Sequence, residues 1–148
     1  ACILTACREI GYVITVGDLV IEGRDARKVL DYHHKITRRL GVKVQLLDTT
    51  AYVVYFARKL ELAQDSPVVR HATHLVGLIA NQNSSPTCAA IAALYIAMLD
   101  AGIKIEQNVV CTVAKITEIS LRTWARKLGG YETVKVNAIP PFDRDEIR

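Results

Sequence analysis

The 148-residue sequence predicts an all-α protein. Three observations carry that expectation. Apolar residues recur at three- and four-residue spacing along most of the chain, with almost none of the alternation that marks strands. Ser66-Pro67 and Ser85-Pro86 each put a capping serine before a proline, whose missing N–H costs nothing in a first helical turn. The segment Lys104 to Leu128, KIEQNVVCTVAKITEISLRTWARKL, reads as a short helix, a tight turn and a second helix with a basic outer face.

Taken in order, Ala1 to Ile10 forms a helix that stops at Gly11, and Thr15 to Leu40 gives a first helix-turn-helix pattern. Val29, Tyr32 or His33, Ile36 and Leu40 make its expected buried stripe, with Arg27, Lys28, Lys35, Arg38 and Arg39 facing outward. Val42 to Leu47 is a linker with too little Gly or Ser to be loose. Asp48 or Thr49 can cap a helix that runs to Leu62 and carries Tyr52, Phe56 and Leu60 on one face. Ser66-Pro67 opens the next helix. Ser85-Pro86 opens a long apolar one, TCAAIAALYIAMLDAG, which ends at Gly102 as a left-handed cap would. Its alanine-rich faces admit neighbours on several sides, which predicts the central helix. In the final pair, Ile105, Val109, Val110 and Val113 brace the first helix, while Leu121, Trp124, Ala125 and Leu128 bury one side of the second. Ile119, Arg122, Thr123 and Arg126 are left on its other side.

ACILTACREIG, residues 1–11, resembles AALYIAMLDAG, residues 92–102, and the likeness runs on into the two helix-turn-helix patterns at an offset of about 91 residues. The expected organisation is the C-terminal part of a first repeat over residues 1–41, a linker over 42–48, a second five-helix repeat over 49–130 and a C-terminal extension over 131–148. The first copy lacks counterparts of the two helices that open the second. Its helix Ala1 to Ile10 is therefore expected to expose apolar sides, and the chain to be part of a longer protein.

A hydrophobic content of 51% places the chain in the globular class, and a net charge of +4 is compatible with a polyanionic partner. No apolar run approaches the roughly 20 residues that span a bilayer, so no membrane association is expected. Cys2, Cys7, Cys88 and Cys111 form no CxxC pair and sit in apolar helical patterns, which predicts buried free thiols rather than disulfides or a metal site. His71 and His74 share a helix face but no carboxylate or thiolate completes a ligand set, and the adjacent His33 and His34 point in different directions. No nucleophile elbow, phosphate loop or zinc-protease motif is present, so the expectation is a protein without catalytic residues, metal or cofactor. Two amphipathic helices and a turn suit simple packing as well as DNA binding. Five Lys or Arg against two Glu between Lys104 and Leu128, with Arg122 and Arg126 one turn apart on the outer face, favour DNA.

Several stretches resemble the cyclin-like core of the transcription factor IIB and archaeal factor B family. Ala6-Cys7-Arg8 with Gly11 and Thr15 is similar to the family's ACR-x-x-G-x-P-x-T; Ser85-Pro86 followed by AAIAALYIA is similar to SP-x-x-x-AAAAIYIAS. Gln107 to Arg122 follows the family's TQ-x-x-(V/I)-x-x-x-(A/S)-x-V-T-(E/D)-V-T-(V/I)-R run, and Lys135-Val136 with Ile139-Pro140 resembles the end of its second repeat. The resemblance covers about residues 1–140 and implies tandem cyclin-like five-helix repeats, the first incomplete here, each ending in a helix-turn-helix. It also implies partners: the TATA-binding protein, promoter double-stranded DNA and RNA polymerase, the last mainly through amino-terminal segments that this chain does not contain.

Ile119 and Arg122 occupy the positions of the family's base-reading valine and arginine, which implies major-groove contact upstream of TATA, with Arg122 offering guanine a fork and Ile119 an apolar surface. Thr117, Ser120, Thr123 and Arg126 are candidates for phosphate or base-edge contacts, and Arg27, Lys28 and Lys35 for nonspecific attraction. The sequence departs from the pattern at Glu106, Val13 and Trp124, and at Leu30-Asp31, where the family has Gly-Arg. An aspartate facing phosphate is repulsive, which weakens the expected contacts of the first helix-turn-helix. A cyclin-like protein-interaction module without DNA binding and a polymerase III type paralogue are the alternative readings. Four cysteines with several Asn and Gln favour a eukaryotic nucleus over an archaeal cytoplasm.

Overall fold

The computed structural model describes residues 1–20, 26–42, 48–79 and 85–129, so most of the expected linker and all of the C-terminal extension, with Lys135, Val136, Ile139 and Pro140, lie outside the described residues. Every regular element among the described residues is a helix: α1 (Cys2–Glu9), α2 (Val16–Leu19), α3 (Ala26–Leu40), α4 (Thr49–Lys59), α5 (Pro67–Gly77), α6 (Pro86–Asp100), α7 (Gln107–Ala114) and α8 (Glu118–Lys127).

α6 is the axis of the core. All ten residues from Ala89 to Met98 are buried, five of them alanines, because only small side chains let helices approach an axis from several sides at once. Around it pack Tyr52, Val53, Phe56 and Ala57 of α4, Val68, Val69, Ala72 and Val76 of α5, Val110, Cys111 and Ala114 of α7, and Leu121, Trp124 and Ala125 of α8. Ser66 caps α5 by accepting from Val69 N at 3.3 Å, as its Ser-Pro start predicts. Ser85 instead takes a left-handed conformation at the start of α6 and makes no side-chain cap.

Two turns 91 residues apart share one hydrogen-bond pattern. Behind α1, Tyr12 N donates to Cys7 O at 2.7 Å with Gly11 left-handed; behind α6, Ile103 N donates to Met98 O at 2.9 Å with Gly102 left-handed. Glycine suits both sites because a Cβ there would crowd the carbonyl. α4 closes in the same way, Leu62 N to Ala57 O at 2.8 Å, so it ends at Lys59 rather than reaching Leu62. Its left-handed residue is Glu61.

α1 packs against α3 around a polar centre. His33, not Tyr32, is the buried residue of α3, and Leu40 is 71% exposed rather than part of the stripe. Arg8 Nη1 lies 3.4 Å from His33 Nε2, and because a guanidinium cannot accept, Nε2 is the acceptor and Nδ1 carries the proton. Nδ1–H then donates to Thr5 Oγ1 at 2.8 Å, and the Thr5 hydroxyl donates to Ala1 O at 3.1 Å. Ile3 and Ile10 of the first segment are exposed, as expected.

α2 ties these helices to the rest. Thr15 and Asp18 form a reciprocal capping box, with Thr15 N donating to Asp18 Oδ2 at 2.9 Å. The same carboxylate accepts from Tyr55 Oη and Lys59 Nζ of α4, each at 2.5 Å. Gly17 O accepts from Lys115 Nζ in the turn before α8. The cysteines are free, but only Cys111 is buried; Cys7 and Cys88 are half-buried and Cys2 is exposed, which corrects the expectation of four buried thiols. Helix ends, where neighbours are fewer, explain the exposure of Cys2. No described helix is long and apolar enough to cross a membrane.

Candidate nucleic-acid interface

α7 and α8 are joined by a three-residue turn, Lys115 to Thr117, in which Lys115 is left-handed and Ile116 N donates to Cys111 O at 3.0 Å. Thr117 caps α8 by accepting from Ser120 N at 3.2 Å, and Glu118 in the first turn suits the positive end of the helix dipole. Leu121, Trp124, Ala125 and Leu128 are buried as their spacing predicts. The inner face of α7 differs from expectation: Gln107, Val110, Cys111 and Ala114 turn inward, while Val109 is 45% exposed. A buried glutamine defines that face because its amide has a partner, and that partner is on α8.

Arg122 Nε donates to Gln107 Oε1 at 3.1 Å and Arg122 Nη2 donates to Glu118 Oε2 at 2.8 Å. The first bond spans the turn; the second is an i, i+4 pair on the helix surface. Beneath them, burial pushes the Tyr95 hydroxyl above the ordinary phenol range, with Gln107 and Arg122 acting in the opposite direction. The Tyr95 oxygen makes no hydrogen bond of standard geometry, although both groups are near enough to act on it. Burial, and then the Glu118 charge, raise the Cys111 thiol, so it stays protonated at neutral pH.

Outward of this braced arginine, Ile119 is 76% exposed and Thr123 and Arg126 are exposed. Thr123 donates its hydroxyl to Ile119 O at 2.8 Å and so presents only an acceptor; Ser120 Oγ lies 3.0 Å from Thr117 Oγ1. Trp124 packs inward and Lys127 Nζ sits 4.3 Å above its ring, so tryptophan at this position joins the core and still holds a cation beside the helix end. Thr117, Ile119, Ser120, Arg122, Thr123 and Arg126 are therefore gathered on α8 and its cap. Arg27, Lys28 and Lys35 are brought together on a separate helix, α3, where all three are exposed with Arg38 and Arg39. Asp31 sits among them, sharing a surface depression with His34, Lys35 and Arg38. Among the described residues no cluster of His, Cys, Asp or Glu could hold a metal, and His71 lies beside Asp100, Nδ1 to Oδ2 at 3.9 Å.

Sequence reasoning missed Gln107 and Glu118 as partners of Arg122. Glu118 was readable from its four-residue spacing; Gln107, 15 residues away across a turn, carried no local signal.

An all-helical chain built around a buried alanine-rich helix, with a basic exposed helix behind a tight turn, matches the family model described as the transcription factor TFIIB repeat over residues 42–128. The chain belongs to that family. It is 30% identical over 127 residues to transcription initiation factor IIB 3 of Halobacterium salinarum, covering 82% of this chain and 39% of that protein. Over 139 residues it is 31% identical to transcription initiation factor IIB 1 of Thermoplasma volcanium, covering 89% of this chain and 43% of the relative. Transcription initiation factor IIB of Haloarcula vallismortis is 34% identical over 91 residues, covering 59% of this chain and 78% of its own sequence. The chain thus spans about two fifths of the first two relatives. All three organisms are archaea, and none supports the expected nuclear location.

Proposed function

We propose that this chain is the DNA-gripping part of a general transcription initiation factor of an archaeal cell, working in the cytoplasm. It binds the TATA-binding protein on promoter DNA and helps recruit RNA polymerase, with segments outside this chain contributing the polymerase contacts. Its organisation is the C-terminal part of a first cyclin-like repeat over residues 1–41, a linker over 42–48, a second repeat over 49–130 and a C-terminal extension over 131–148, and its role is not catalytic. α8 enters the major groove upstream of TATA. The observation that carries this reading is Ile119 standing out from the helix one turn from the half-exposed Arg122, an apolar surface beside a guanidinium fork. Thr117, Ser120, Thr123 and Arg126 contact phosphates or base edges, and Arg27, Lys28 and Lys35 on α3 add attraction that is independent of sequence.

Gel shift with TATA-containing DNA and the cognate TATA-binding protein tests this. A ternary complex is expected, weakened by Arg122→Ala only on DNA with a guanine upstream of TATA; no ternary complex with full-length protein overturns the reading. A groove of about 360 Å³ between the α1–α2 turn and α4, lined by Tyr12, Val13, Val54, Tyr55 and Arg58, favours a second reading, a protein-interaction module without DNA binding. Salt separates the two, since phosphate contacts make affinity fall steeply with ionic strength and an apolar groove does not. The relatives' name, factor IIB, supports that factor over a polymerase III type paralogue.

A further inference from the structure

A guanidinium has two edges that can each make a paired contact. The side edge carries the Nε hydrogen and one on Nη2; the end edge carries one hydrogen from each Nη. In Arg122 the two nitrogens of the side edge are both held, Nε by Gln107 Oε1 at 3.1 Å and Nη2 by Glu118 Oε2 at 2.8 Å. Gln107 is buried in α7, so one of the two holds is anchored in the core rather than in solvent. The Arg122 side chain itself keeps 39% of its exposure.

We infer that Gln107 and Glu118 are positioning residues for base recognition: they occupy the side edge of Arg122 and present its end edge to the N7 and O6 of a guanine. This rests on the reading that Arg122 contacts DNA bases. A free arginine sweeps many rotamers, and fixing it before binding removes an ordering cost that would otherwise fall on the specific complex alone. Glu118 has a second effect. Its carboxylate repels phosphate and has no donor to offer guanine N7 or O6, so an α8 displaced from the base edge is disfavoured, whereas the exposed lysines and arginines attract any sequence.

The test uses full-length protein, the cognate TATA-binding protein and duplexes in which each guanine upstream of TATA is replaced in turn by 7-deazaguanine, which lacks N7. Wild type is expected to discriminate at one guanine, and Arg122→Ala to abolish that discrimination. Gln107→Ala and Glu118→Ala are each expected to reduce it, Gln107→Ala by about tenfold and, since it removes no charge, with the salt dependence of binding unchanged. Gln107→Glu, which keeps an acceptor oxygen, should restore most of it. In an Arg122→Ala background neither substitution should add an effect. Glu118 is exposed, so Glu118→Ala remains informative if Gln107→Ala does not fold. Full discrimination by Gln107→Ala and Glu118→Ala alongside its loss in Arg122→Ala overturns the positioning role and leaves base reading standing; full discrimination by Arg122→Ala overturns both.

Discussion

Asp18 and Lys59, 41 residues apart in sequence, meet at 2.5 Å on the surface between α2 and α4. The same carboxylate closes the capping box of α2 and accepts from the Tyr55 hydroxyl. One side chain therefore satisfies a helix start and fastens two helices. Burial alone would push the Asp18 carboxyl up, but Lys59, Thr15 and Tyr55 outweigh it and hold it well below the ordinary carboxylate range. Its partners shift as an ion pair requires. Burial works against the Lys59 ammonium, yet Asp18 raises it above the lysine range, and burial together with Asp18 raises the Tyr55 hydroxyl.

Asp18→Asn is expected to lower stability by about 1–2 kcal/mol, the loss of a cap and a charged hydrogen bond. The sign with pH follows from the lowered carboxyl: the contribution is complete above the unfolded value near 3.8 and fades as pH falls from there through the folded value. Urea midpoints measured across acid pH should show this limb in the parent and a flatter one in the variant.

His33 gives a second acid limb, at higher pH. Burial, then the positive charges of Arg8 and His34, hold its imidazole below the ordinary 6.5, so the fold prefers the neutral ring. Its contribution is present above that unfolded value and is lost as pH falls through the lowered one. His33→Leu is expected to be less stable near neutral pH, since Thr5 and Arg8 lose their partner, and to show less change in thermal midpoint between about pH 7 and 5.

Glu61 occupies a left-handed position that glycine takes in the equivalent turns behind α1 and α6. Glu61→Gly should stabilise the protein by about 1 kcal/mol, the relief of Cβ strain less the added freedom of the unfolded chain. A rise in thermal midpoint by calorimetry confirms it; a fall refutes it.

Ala93 is fully buried at the middle of α6 with helices packed on several sides. Ala93→Leu is expected to cost about 1–3 kcal/mol or more through overpacking, visible as a lower urea midpoint with an unchanged slope.

The elements were legible in the sequence wherever local chemistry set them. Ser66-Pro67 and Ser85-Pro86 marked helix starts, Gly102 marked an end, and the alanines of α6 marked the axis, because caps, prolines and small faces act within a turn or two of themselves. The inner faces of α3 and α7 depart from plain apolar spacing for one shared reason. Both bury a polar residue, His33 and Gln107, whose partners are 28 and 25 residues away for the first and 15 for the second. Apolar spacing leaves Tyr32 and His33 as alternatives on α3, omits Gln107 on α7 and adds Leu40 and Val109, whereas the structure buries His33 and Gln107 and leaves Tyr32, Leu40 and Val109 exposed. At the interface, the outward set on α8 followed directly from periodicity. What periodicity could not supply was the hold on Arg122, with Gln107 on Nε and Glu118 on Nη2.

The four residues of α2 have a consequence out of proportion to their length. Through Asp18 they hold α4, and through Gly17 O they hold Lys115 at the turn that launches α8, where a Cβ on Gly17 would come within 2.9 Å of the Lys115 side chain. α2 also lies against α3, the other exposed basic helix. A keystone placed this way ties α3, α4 and the turn before α8 into one frame, so the two exposed basic helices stand at a set span fixed by four residues.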